Sequence, residues 1–167
     1  LIVIDNLLGP INDIQFDLND VKFKNIEQFE VKNLKNLRKI QLNLNNNLKT
    51  LVLKNLSMTH LPNDFFKNAS SIQLIDLSIN SFRKLNFSIK HSKKDDNLEN
   101  LKIILTNCPN LTDLSLNLEN IKIVDIDIDE FLQLSKFKLN KSFSVPLVVF
   151  VSTYLYLLNT KIKIKII

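Results

Sequence analysis

The sequence predicts an α/β solenoid: stacked repeats with a parallel β-sheet on the concave side and a helical or irregular convex side. Two observations carry that prediction. Two segments about 24 residues apart share one apolar spacing. The first places Leu48, Leu51, Leu53, Leu56, Met58, Leu61, Pro62 and Phe66; the second places Ile72, Ile75, Leu77, Asn80, Phe82 and Leu85. The spacing restarts at Leu111, Leu114, Leu116 and Ile121, and again at Leu134, Phe137 and Leu139. In addition, 45% of the 167 residues are hydrophobic, enough for a substantial core. A single unit of this kind cannot cover its own apolar face, so units must stack.

Both segments fit LxxLxLxxNxL, with Leu56 standing where the pattern has Asn. The chain therefore resembles leucine-rich repeat proteins, most closely over residues 26 to 139. Cys108 to Leu116 reads CPxLxxLxL, similar to the cysteine-containing repeats of F-box-associated and related intracellular proteins. Leu61-Pro62 with Phe66 instead resembles the typical class common in receptors. The resemblance implies concave strands ending in an Asn that bonds exposed backbone groups, and a non-catalytic role in protein–protein interaction. It leaves three versions of that role: an adaptor, scaffold or complex subunit; the substrate-recognition repeats of an F-box type ubiquitin ligase subunit; or a receptor ectodomain fragment with a membrane anchor.

Taken in order, residues 1–25 read as an N-terminal cap or degenerate repeat, and 26–167 as the repeat domain. The chain opens on Leu1 rather than Met, so a fragment or processed form is expected, with further repeats beyond its ends. Phe29 to Val31 and Leu51 to Leu53 are expected as concave strands, with Ile40 to Leu44 on the convex return limb. The competing register puts Ile14 to Phe16 and Ile40 to Leu42 on the concave side instead. Beyond Phe82 the spacing to Leu111 is too long for one unit. The polar run His91 to Asp96 reads as a mobile surface loop within an insertion near 88–97. Asp96 then caps a helix that places Leu98, Leu101, Ile104 and Leu105 on one face and ends at Cys108-Pro109.

Asp125, Asp127 and Asp129 mimic a calcium loop, but Glu130 and Lys136 occupy the positions that need Gly and Glu. Their alternation with Ile126 and Ile128 points to an extended limb with its acidic side outward. Ser142 to Thr160 contains one charge-free run. It is read as a helix from about Pro146 to Leu158 on the convex side, feeding a parallel strand around Ile162 to Ile166. A membrane anchor over 142–160 is the alternative.

The charge is +5, with lysines concentrated over Lys22 to Lys54 and acids over Asp113 to Glu130. The lysines fall mostly between apolar positions, which describes a solvated face and argues against nucleic acid. Catalysis finds no constellation: His60 and His91 are the only histidines, and one Gly excludes a glycine-rich phosphate loop. Cys108 reads as a small packed thiol near a helix end. No cofactor or metal is expected. The lone Cys and the lack of cysteine-clustered caps favour a reducing, cytoplasmic setting over an extracellular or membrane-anchored one. Five sequons, at Asn55, Asn68, Asn86, Asn110 and Asn140, are read as chance in an Asn-rich chain. The richness in Asn, Lys and Ile is itself given little functional weight.

By the repeat geometry, the outward residues of each strand are the candidate contacts for a protein partner. They are Thr50, Val52, Lys54, Leu74, Asp76 and Ser78, then Asp113, Ser115, Asn117, Lys136, Lys138 and Asn140. The expectation is that all twelve lie on one concave surface.

Overall fold

The computed structural model describes residues 1–6, 13–35, 37, 39–92, 100–121, 123–128, 134–141 and 163–166. Its elements in chain order are β1 (Ile2–Asp5), β2 (Asp13–Asp17), β3 (Gln28–Lys32), β4 (Lys39–Asn43), β5 (Thr50–Lys54) and β6 (Leu74–Asp76). They continue with β7 (Lys84–Lys90), β8 (Asn100–Ile104), β9 (Asp113–Glu119), β10 (Ile123–Asp127), β11 (Lys136–Lys141) and β12 (Lys163–Ile166). Every strand pairing among the described residues is parallel.

The chain shuttles between two sides. A six-stranded sheet takes β1-β3-β5-β6-β8-β10 in that order. The opposite side is split into a two-stranded sheet, β2-β4, and a four-stranded sheet, β12-β11-β9-β7. A turn of this solenoid is thus strand, corner, strand, corner. Ile2, Phe29, Leu51, Ile75, Ile103 and Ile126 form one row across the six-stranded sheet. On the other side Leu85 pairs with Leu114 and Leu114 with Phe137, while Phe87, Leu116 and Leu139 form the next row. The inward rows of both sides merge into one continuous core, in which Leu53, Leu77, Leu116 and Leu139 are all fully buried, as their shared repeat position requires.

Between β5 and β6 the return limb has no strand, and this is where the second side divides. Phe65, Phe66, Ala69 and Ile72 fill the gap as buried turn residues. The Phe66 ring lies 4.8 Å from that of Phe87, joining this irregular limb to the first strand of the four-stranded sheet.

No helix occurs among the described residues, and the expected helical convex side is wrong. The cause is visible in the sequence. The return limbs alternate with period two, as in Lys84–Lys90, where Leu85, Phe87 and Ile89 are buried between exposed neighbours. The helix expected over 98–105 is contradicted by β8. Leu101, Ile103 and Leu105 are buried at alternate positions, and the i, i+3, i+4 pattern of Leu101, Ile104 and Leu105 is an accident of a strand rich in apolar residues. Ile75 and Ile103 are partners on successive rungs, 28 residues apart against 24 from Leu51 to Ile75 and 23 from Ile103 to Ile126, so the rung that holds the expected insertion is the longer one.

The preferred N-terminal register holds, since β3 and β5 pair while β4 lies on the return side. The competing register names real partners as well, because Ile14 to Phe16 pairs with Ile40 to Leu42 in the two-stranded sheet. Residues 1–25 contribute β1 and β2, which stack on β3 and β4. The acidic limb Ile123–Asp127 is a strand with Val124 and Ile126 inward, as its alternation requires. The expected strand near the C-terminus is present as β12, with Ile164 rather than Ile162 opposite Phe137. The helix or anchor expected over 142–160 lies outside the described residues. So does 93–99, the greater part of the expected loop. His91, placed in that loop, is instead 1% exposed, with Nε2 2.6 Å from the Ile72 carbonyl.

Candidate interaction faces

Each exit from the six-stranded sheet is a sharp corner whose chemistry repeats. Asn6, Asn33, Asn55, Ile79 and Asn107 stand at the same place on successive rungs, and all have positive φ. Asn tolerates this left-handed conformation because its short side chain bonds locally. Here the side chains also bond one another along the stack. Asn55 Nδ2 donates to Asn33 Oδ1 at 2.7 Å, and Asn33 Nδ2 donates to Asp5 Oδ1 at 2.8 Å.

One residue further on, Asn80 is buried and acts as a hub. Its Nδ2 donates to the carbonyls of Leu53 (2.7 Å) and Leu77 (2.8 Å), while its Oδ1 accepts from the N–H groups of Leu56 (3.2 Å) and Met58 (3.0 Å). This is the expected Asn role. Leu56 holds the equivalent position one rung earlier and is fully buried. Cys108 holds it one rung later, where its thiol lies 3.5 Å from the Leu77 carbonyl. The expected packed thiol is therefore partly buried in a corner, not at a helix end.

These corners set two outward faces, and the twelve candidate contacts divide between them. Thr50, Val52 and Lys54 lie on β5, and Leu74 and Asp76 on β6, with Ser78 just beyond. Asp113, Ser115 and Asn117 lie on β9, and Lys136, Lys138 and Asn140 on β11. The two groups therefore sit on sheets that face each other across the core, and their outward rows point away from one another. The expectation of one shared surface fails because LxxLxL describes any inward-alternating strand entered from an apolar turn. Both limbs of this chain satisfy it.

The face of the six-stranded sheet mixes apolar and charged groups. One outward row reads Val3, Glu30, Val52, Asp76, Ile104, Asp127. Val3 is 48% exposed and the corner residue Ile79 is 41% exposed, with Leu74 and Ile104 partly exposed between them. Val52 is only 8% exposed although it points outward, so its neighbours cover it. Asp76 and Ser78 are buried too: Asp76 Oδ1 accepts the Ser78 N–H at 2.9 Å, fixing the turn after β6. Of the six candidates here, Thr50, Lys54 and Leu74 remain presentable to a partner. Carboxylates of Asp5, Glu30, Asp76, Asp125 and Asp127 outnumber the ammonium groups of Lys32, Lys54 and Lys102. Lys32 is held above the usual lysine range by its hydrogen bond to Glu30 (2.9 Å) and by that residue's charge, with smaller contributions from Asp5 and Asp76.

The face of the four-stranded sheet is polar and basic. Its described outward positions on β7, β9 and β11 are Lys84, Asn86, Ser88, Lys90, Asp113, Ser115, Asn117, Glu119, Lys136, Lys138 and Asn140. Lys84 meets Asp113 at 3.7 Å and Lys90 meets Glu119 at 2.7 Å. Asn117 Nδ2 donates to Ser88 Oγ at 3.1 Å.

Among the described residues no three His, Cys, Asp or Glu side chains cluster as metal ligands would, and no helix is long and apolar enough to cross a membrane. The corner asparagines are the structural residues that sequence reasoning passes over. Their signal is phase: Asn6, Asn33, Asn55 and Asn107 each follow an inward strand residue at one fixed distance. No family model, curated protein or solved structure matches this chain, so its function has to be read from the solenoid and its two unlike faces.

Proposed function

We propose that this chain is a non-catalytic protein-recognition module of leucine-rich type whose return limbs are strands. The leucine-rich reading is supported by the Asn80 hub and by Cys108 at the same place on the next rung, the Asn/Cys position of that repeat. The observation that carries the binding role is the outward face of the six-stranded sheet. There Val3, Leu74, Ile79 and Ile104 leave apolar surface open among charged neighbours. Such a mixture suits a protein interface, with apolar contact at the centre and charges at the rim.

The test is site-specific photocrosslinking in the native cell. A probe at Leu74 is expected to give a discrete protein adduct, lost when Thr50 and Lys54 are changed to Glu. A probe at Asn117 on the opposite face reports on the alternative. An adduct from Asn117 and none from Leu74 would reject the six-stranded face as the contact surface.

A further inference from the structure

We infer that the solenoid has a joint between β5 and β6, where it opens into two blocks, one of β1–β5 and one of β6–β11. The joint follows from the fold alone. Its bearing on binding rests on the contact reading proposed above: Thr50 and Lys54 stand on one side of it and Leu74, Ile79 and Ile104 on the other, so opening takes that face apart.

A solenoid is held together by contacts between neighbouring rungs, so its weakest junction sets where it opens first. Three junctions here are paired on both sides. The β1–β3 pairing is matched by β2–β4, β6–β8 by β7–β9, and β8–β10 by β9–β11. The rung of β5 is paired on one side only, because its return limb has no strand. Toward β3 it shares five register pairs, Gln28–Thr50 through Lys32–Lys54. Toward β6 it shares three, Thr50–Leu74 through Val52–Asp76. The junction of β5 with β6 is therefore the thinnest among the described residues.

Two further defects fall at the same place. Ser78, just past β6, is fully buried, and its Oγ has no hydrogen-bond partner among the described residues. Ile79, the next residue, holds the left-handed conformation that a β-branched side chain disfavours. Opening hydrates the hydroxyl and lets the corner after β6 relax. One buried side chain offsets these weaknesses. Asn80 Nδ2 donates to the Leu53 carbonyl at 2.7 Å, and Asn80 Oδ1 accepts the N–H groups of Leu56 (3.2 Å) and Met58 (3.0 Å). All three partners belong to the rung of β5, so Asn80 is the pin of the joint.

The experiment is residue-resolved hydrogen exchange by NMR on the whole chain, at several guanidinium concentrations below the unfolding transition. The amides of Asn55, Leu56, Met58, Leu74 and Ser81 bond across the joint. Those of Asn33, Leu105 and Thr112 bond within one block and serve as references. The joint amides should exchange at least about tenfold faster than the references and share one denaturant dependence, as a cooperative opening requires. Asn80→Ala should speed them about tenfold further and leave the references unchanged. Asn45→Ala removes another buried Asn, whose bonds to the Leu18 and Phe23 carbonyls stay within the first block, and should not speed the joint. Ile79→Asn relieves the corner and should slow the joint amides about fivefold; it remains readable if Asn80→Ala does not fold. The inference is overturned if joint and reference amides exchange together, or if Asn80→Ala speeds both sets equally. It is overturned as well if Asn45→Ala speeds the joint as much as Asn80→Ala, or if Ile79→Asn fails to slow it. No partner takes part in the measurement, so its outcome is separate from that of the contact reading.

Discussion

The six-stranded and four-stranded sheets are built from the same strand pattern, yet they present opposite surfaces. Their inward rows are nearly interchangeable runs of Leu, Ile and Phe. Their outward rows differ in balance. One carries more acids than lysines among half-exposed apolar groups; the other carries Lys, Asn and Ser, with Asp113 and Glu119 as its acids on β9. The corners differ as well. Left-handed asparagines recur at the exits of the six-stranded sheet, and among the described residues Asn120 alone plays that part after a strand of the four-stranded one. Inward rows record what folding needs, so they look alike. Outward rows are free to diverge, and their divergence is where function is to be sought.

The equivalence of the inward rows is open to the largest perturbation. Leu53→Ala on the six-stranded side and Leu116→Ala on the four-stranded side each remove a fully buried side chain from the same core. Each is expected to cost about 2–5 kcal/mol in denaturant unfolding. A cost well below that range for one side only would show that its sheet adds little to a shared core.

Much of this architecture is legible in the sequence, and the limits have a physical cause. Alternation identifies Phe29 to Val31, Leu51 to Leu53 and the acidic limb as strands, because a period of two has one reading. The inward Leu positions follow from it. Which side of the solenoid a strand joins does not follow. Leu114 and Phe137 carry the same local pattern as Leu51 and Ile75, and only the pairing partners separate them. Hence half of the candidate contacts fall on the opposite surface from the one expected. The helix expected near Leu101 fails for a related reason. In a run as apolar as Leu101 to Leu105, three- and four-residue spacings arise within a strand. The asparagine corners escape a reading by composition, because abundance alone carries no phase.

The next perturbation addresses the corners. Asn80→Ala removes the donor and acceptor that serve Leu53, Leu77, Leu56 and Met58. Buried backbone groups left unpaired cost about 1–3 kcal/mol each before relaxation. A loss of about 3 kcal/mol is expected in chemical denaturation. Cys108→Ala, at the same place one rung later, loses a weak contact to the Leu77 carbonyl and should cost about 1 kcal/mol. Equal costs would mean that the two positions do not share a role.

Charge reversal separates the two outward faces more finely. Asp76→Lys puts an ammonium where a buried carboxylate accepts the Ser78 N–H, so it should destabilise by about 2 kcal/mol. Lys138→Glu on the opposite face alters an exposed side chain, so thermal unfolding should move by less than about 0.5 kcal/mol. Two outward positions of the same repeat pattern thus differ in cost, because only one of them is solvated. If Asp76→Lys melts like the parent chain, Asp76 is a free surface charge and belongs among the presentable contacts after all.

The last effect lies at Ile79 and, unlike the others, runs in the stabilising direction. It occupies the corner taken by Asn6, Asn33, Asn55 and Asn107 on other rungs, with φ of 55°. A β-branched residue is a genuine outlier there, because its Cβ substituents crowd the backbone. Burial gives no compensation, since Ile79 is 41% exposed. Strain held in an exposed apolar side chain is the pattern expected of a contact residue. Ile79→Asn should therefore raise stability by about 1 kcal/mol, read as a higher midpoint in thermal unfolding. The same substitution should weaken the photocrosslinked adduct at Leu74, because it removes apolar surface from that face alone. The paired readout is what sharpens the comparison. A gain in stability with the adduct intact would leave Ile79 as a corner out of step with its neighbours. A gain in stability with the adduct lost would place the contact on the six-stranded face. A loss of stability would mean that the corner tolerates Ile for a packing reason and that its left-handed backbone is not strained.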